Sequence, residues 1–135
     1  MTMTLETRVA GPVLYCDVRG ELNLAMGKEL FQKMLAEHFA RGTGSILIDC
    51  RALRGTLGST QRYDLGVEMF KGHLQMIESG IVPPRIVLVA VPPLFDPRML
   101  MESVAVNRGA RFRAVQTIEE AAEWLGVEPS SLQAE

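Results

Sequence analysis

Histidine and cysteine are nearly missing from this sequence, with two of each: His38, His73, Cys16 and Cys50. A metal centre needs several such ligands at tight spacing, and these four are scattered, so neither a metal nor a cofactor is expected. Both cysteines fall in strand-like runs, where the ordinary role is a small buried thiol. No apolar run approaches the roughly 20 residues of a membrane-spanning helix. Charge of one sign is lacking too: 14 Lys and Arg are interspersed with 16 Asp and Glu for a formal net charge of -2. The basic face of a nucleic-acid binder is therefore not expected. The opening Met1–Glu6 has no basic-then-apolar layout, so no signal peptide is read there and a cytoplasmic location is expected. No internal repeat or low-complexity segment is present.

What remains is 135 residues that are 47% hydrophobic and 22% charged, enough for one compact core. Two extended pieces lie in Thr4–Arg19, joined by Ala10-Gly11-Pro12, which reads as a hairpin. In the second piece Leu14, Cys16 and Val18 alternate onto one face. Asn23 is placed to cap a helix over Leu24–Arg41, whose stripe is Gly27, Leu30, Phe31, Met34, Leu35 and Phe39. His38 sits beside that stripe as a boundary residue. Gly42-Thr43-Gly44 stops it.

The stretch Ser45–Gly66 organises the rest. Ile46, Leu47 and Ile48 form an unbroken apolar run, as in a parallel strand buried on both faces. Asp49 and Arg51 are read as its C-terminal end, followed by a glycine-containing turn over Ala52–Gly58. Ser59 is expected to cap a second helix reaching Ser79, with Tyr63, Gly66, Val67, Phe70, Leu74 and Ile77 as its core stripe. Leu65, Met69 and Met76 lie off that stripe, and adaptable methionines on such a flank suggest an interface.

Arg85–Val91 is the most strand-like run, bounded by Pro83-Pro84 and Pro92-Pro93. Asp96 and Pro97 open a third expected helix, which ends at Asn107-Arg108-Gly109. Arg111–Val115 reads as a short edge strand, and Thr117-Ile118-Glu119-Glu120 as the capping box of a last helix, Ile118–Leu125. The order is β-β-α-β-α-β-α-β-α. This predicts one α/β domain over residues 1–126, with a five-stranded mixed, mostly parallel sheet and four helices. Residues 127–135 read as a flexible tail.

Ligands of open α/β sheets collect beyond the C-terminal strand ends. Asp49, Arg51, Arg54, Ser59, Thr60 and Arg62 are the candidates there, with Pro92, Pro93 and Asp96 alongside. Free amides at a helix start beside arginines could hold a phosphate or carboxylate. Catalysis has little to work with: neither histidine is on this rim, Asp49 and Ser59 have no triad-type base, and Cys50 would need exposure to act. No enzyme is expected.

The Ile48-Asp49-Cys50-Arg51-Ala52-Leu53-Arg54-Gly55 turn, the Arg62-Tyr63-Asp64-Leu65-Gly66 helix and the closing Asn107-Arg108-Gly109 to Trp124-Leu125 stretch resemble SpoIIAA-like proteins of the wider STAS group. The resemblance covers about residues 5 to 126. It implies a regulatory module that binds a protein partner, and a homodimer is among the forms considered. The STAS fold is similar to part of the CRAL-TRIO lipid-carrier domain, which makes a small-molecule or lipid carrier the alternative. Anti-sigma-factor antagonists of the group carry a phosphorylatable serine in an Asp-Ser-x-Gly setting. Ser59 is the serine at the corresponding place here, and it follows Gly58 where those proteins have Asp.

Overall fold

The computed structural model describes residues 3–95 and 111–133. Strands β1 (Thr4–Ala10) and β2 (Val13–Glu21) form the expected hairpin. Gly11 turns it at φ 59°, in the left-handed region where glycine carries no steric penalty. Helix α1 (Leu24–Arg41) starts where the Asn23 side chain accepts a hydrogen bond from the Met26 amide, and ends at Gly42 with φ 66°. Strand β3 is Ser45–Arg54, α2 is Ser59–Glu78, β4 is Arg85–Val89, β5 is Phe112–Val115 and α3 is Ile118–Leu125. The expected helix from Asp96 to Gly109 lies outside the described residues.

The five strands lie in the order β1-β2-β3-β4-β5. The first pair is antiparallel and the other three are parallel. The architecture is thus α/β around a mixed five-stranded sheet, with three α-helices among the described residues. Ile46–Ile48 and the apolar run of β4 are inner neighbours, as their lack of alternation requires.

Side-chain alternation splits the sheet between two cores. Leu14, Cys16, Val18, Ile46, Ile48 and Cys50 meet α1 and α2. On the opposite face Val13, Tyr15, Leu47, Val87, Val89 and Val115 meet Ala121 and Ala122 of α3. Helix α3 makes its main contacts with β4 and β5, and on the β1–β3 side of that second face an open depression remains beside Ile118 and Leu132.

Three expectations are corrected. Strand β3 does not end at Asp49 or Arg51 but continues to Arg54, paired with the far end of β2. Between Asp17↔Asp49 and Arg19↔Ala52, β3 advances one residue more than β2, which is a bulge that turns Leu53 back to the helical side. Helix α2 is rotated from its expected phase. Its buried residues are Arg62, Gly66, Met69, Gly72 and Met76, whereas Tyr63, Leu74 and Ile77 are exposed. The chain beyond Gly126 packs against the body: Pro129–Leu132 forms a 3-10 turn, and Leu132 is 1% exposed in the second core.

Candidate functional site

The β1–β3 side of the second face carries a polar shelf. Glu6 and Arg8 from β1, Tyr15, Asp17 and Arg19 from β2, and Asp49 and Arg51 from β3 border an open depression of about 500 Å3, flanked by Ile118 and Leu132. The register explains the cluster. Arg8 pairs with Tyr15, Glu6 with Asp17, and Tyr15 and Asp17 lie next to Leu47 and Asp49 across the parallel pair.

Asp49 is the centre of this shelf and is buried. Arg51 donates from Nε to its Oδ1 at 3.0 Å and from Nη2 to its Oδ2 at 2.9 Å, a bidentate grip. The Arg51 amide adds a bond at 3.1 Å, and the Tyr15 hydroxyl donates to Oδ2 at 2.5 Å. Burial pushes the Asp49 carboxyl up, but the bonds from Arg51 and Tyr15 outweigh it and hold the group below its ordinary value. Burial, followed by the bond to Asp49, pushes the Tyr15 phenol up to about 12. Arg19 grips Asp17 through Nε at 3.1 Å and Nη2 at 3.0 Å. The Arg8 guanidinium lies 4.1 Å from the Tyr15 ring centroid and donates to the Leu132 carbonyl at 2.5 Å.

This arrangement is mutually saturated. The Asp49 carboxylate already accepts four hydrogen bonds, its full complement, so it has no lone pair left for a substrate proton. Arg51 and Arg19 pair with carboxylates, which leaves the shelf a patch of balanced charge.

The residues read as one rim from the sequence are distributed over four places. Asp49 and Arg51 lie mid-strand on the second face. Ser59 and Thr60 are exposed in the first turn of α2, on the helical side. Gly58, not Ser59, is the N-cap residue, and its amide donates to the Gln61 side chain at 2.9 Å. Arg54, exposed, faces Glu21 at 3.8 Å. Arg62 is buried, and its guanidinium is spent on backbone carbonyls: Leu57 at 3.1 Å, Leu94 at 3.0 Å and Pro93 at 3.4 Å. It fastens the start of α2 to the segment after β4 and is not presented to an anion. The expected interface of Leu65, Met69 and Met76 also moves. Met69 and Met76 belong to the core, and Leu65 packs against it half-buried.

Glu6, Arg8, Tyr15, Asp17 and Arg19 were not singled out from the sequence. The signal was present: Tyr15, Asp17 and Arg19 are the alternate positions to Leu14, Cys16 and Val18, so one face of β2 had to be polar. Cys16 and Cys50 are buried free thiols, and burial pushes each up to about 12, far from a reactive thiolate. His38 is buried, with Nδ1 2.9 Å from the Thr43 hydroxyl, and burial lowers its pKa. No group of three or more metal-binding side chains occurs among the described residues. No helix among them is long and apolar enough to cross a membrane.

Beneath the helical layer is a second feature, an apolar cavity of about 100 Å3. Leu30, Phe31, Met34, Ile48, Cys50 and Met69 are among its walls. No family model matches this sequence, and no curated protein matches it.

Proposed function

We propose that the chain is a STAS-type, SpoIIAA-like regulatory module that acts by binding a protein partner and performs no chemistry of its own. The observation that carries this reading is the apolar character of the helical layer's outer side. Leu74 and Ile77 project from α2 at 40% and 52% exposed, Ile81 and Val82 are exposed just after it, and Phe39 is exposed on α1. A groove of about 280 Å3 between the two helices is lined by Leu35, Ala36, Phe39, Met76 and Ile81 together with the polar Gln32, Gln75 and Ser79. Exposed Phe39 and Ile81 at this groove, with Leu74 and Ile77 farther round α2, leave the outer side of the layer with apolar side chains that suit a protein segment. The saturated hydrogen bonds of the Tyr15–Asp49–Arg51 cluster support the same reading, since they hold it as structure. Ser59 is exposed beside the amides of the first turn of α2. A phosphate added there would sit at the favourable end of the helix dipole and alter the charge next to the docking side.

The alternative, an apolar-ligand carrier, rests on the cavity beneath α1 and α2. At about 100 Å3 it is smaller than the roughly 150 Å3 hole that accepts benzene in an engineered protein, so it suits a fragment and not an acyl chain.

A photo-crosslinking residue at Ile77 tests the proposal in cells, with the same residue at exposed Glu119 on α3 as control. Discrete protein adducts at Ile77, lost when Phe39→Asp or Leu74→Asp is added, are expected. Equal, diffuse labelling at the two positions would remove the basis for the reading.

A further inference from the structure

Strand β1 ends the sheet, and among the described residues it pairs only with β2. Native edges are usually blunted by proline, a bulge or unmatched charge, because a bare row of amides and carbonyls invites another strand. Here the seven residues Thr-Leu-Glu-Thr-Arg-Val-Ala contain no proline, and their register with β2 runs unbroken from Thr4↔Arg19 to Ala10↔Val13. The edge is therefore regular along its whole length.

Its sequence is also its own complement. Two copies meeting antiparallel about a two-fold axis keep their sheet faces continuous only if residues of like parity oppose each other. An axis at Glu6 sets Glu6 against Glu6, and an axis at Arg8 sets Arg8 against Arg8; like charges directly opposite are unfavourable. With the axis at Thr7, Glu6 opposes Arg8 twice, Leu5 opposes Val9 twice, Thr4 opposes Ala10 twice, and Thr7 meets itself. Leu5 and Val9 share the helical face with their partners Val18 and Leu14, and Val9 is 46% exposed, so that apolar pair gains cover. Glu6 and Arg8 lie on the other face, at the margin of the polar shelf. There the Arg8 guanidinium lies over the Tyr15 ring and donates to the Leu132 carbonyl, so pairing with Glu6 of a second copy requires it to turn outward toward the edge.

We propose that β1 is a self-recognition edge, at which a second copy of this chain adds antiparallel about Thr7 and joins two five-stranded sheets into one. The recognition is β-strand addition, with main-chain hydrogen bonds giving the attraction and the Glu6–Arg8 pairs fixing the register. The two polar shelves then become neighbours across the axis. This surface is separate from the helical side proposed above for a different partner, and either can fail without the other.

Sedimentation velocity over a concentration series reads the association. The native chain is expected to shift from monomer to dimer as concentration rises. Glu6→Arg places arginines opposite each other twice and is expected to weaken the dimer by roughly tenfold or more. Arg8→Glu is expected to do the same, and the double swap Glu6→Arg with Arg8→Glu is expected to recover the native affinity. Thr7→Lys, which sets two ammonium groups against each other on the axis, gives the same loss without touching the Arg8–Leu132 bond, and it decides the matter if Arg8→Glu does not fold. A native chain that stays monomeric throughout, single swaps that leave the dimer unchanged, or a folded double swap that does not recover would each overturn the proposal.

Discussion

At the residue scale the informative group is Asp49. Its folded pKa is depressed below the ordinary 3.8, so its hydrogen bonds contribute stability above that pH. That contribution is lost as the pH falls through the lower folded value. Asp49→Asn keeps an acceptor for Tyr15 but gives up the charge-assisted grip of Arg51. It is expected to cost about 1–3 kcal/mol at neutral pH. Urea unfolding should show that cost shrinking as the pH falls below the ordinary 3.8 and the native carboxylate itself becomes protonated. Tyr15 gives the opposite limb. Its folded pKa of about 12 stands above the ordinary 10.0, so its contribution is complete below pH 10 and declines as the pH rises through about 12. Tyr15→Phe should flatten that alkaline decline, and the phenolate absorbance of Tyr15 should appear late in a native-state titration and earlier in urea.

At the element scale α2 shows why part of the site was illegible. The sequence offers two stripes, one with Tyr63, Phe70, Leu74 and Ile77, the other with Leu65, Met69 and Met76. Hydrophobic periodicity favours the first because its side chains are larger. The fold selects the second, with Gly72 turned toward α1. A Cβ placed there would lie 3.5 Å from Leu35 Cδ1 and 3.6 Å from Phe31 Cε2. A glycine and a buried arginine contribute no hydrophobic signal, so the packed face was hidden in the pattern. Both contacts are ordinary van der Waals distances, and Gly72 is mid-helix. Gly72→Ala is therefore expected to raise stability by about 0.5–1 kcal/mol in a thermal or urea melt. Arg62→Met keeps an unbranched apolar stem but strands the carbonyls of Leu57, Pro93 and Leu94. It is expected to cost about 2–4 kcal/mol, and Arg62→Lys should recover only part, because one ammonium cannot reproduce a planar fork. Phe70 is half-buried, so Phe70→Ala should fall below the roughly 3–5 kcal/mol of a fully buried phenylalanine.

At the scale of the whole molecule the sheet was legible because its inner strands cannot be anything else. Ile46–Ile48 and Ile86–Val89 are apolar without alternation, and glycine or proline marks the turns beside them. What could not be read was the covering of each face, which depends on long-range packing. Asp49 and Arg51 looked like a strand end because β3 turns polar there. They are in fact mid-strand residues that border an open depression at whose margin α3 begins. The C-terminal segment was misjudged for a related reason. Val-Glu-Pro-Ser-Ser-Leu-Gln is polar enough to pass for a tail, yet one leucine enters the second core beside Val87 and Ala122. If that contact closes this end of the sheet, Leu132→Ala should cost about 2–5 kcal/mol in a urea melt, as in other buried leucine truncations. A tail that merely frays would lose nothing. Because Arg8 donates to the Leu132 carbonyl, hydrogen exchange in the same variant should quicken in β1 as well as around α3. Fast exchange confined to residues 127–133 would mean that the segment rests on the domain without bracing it.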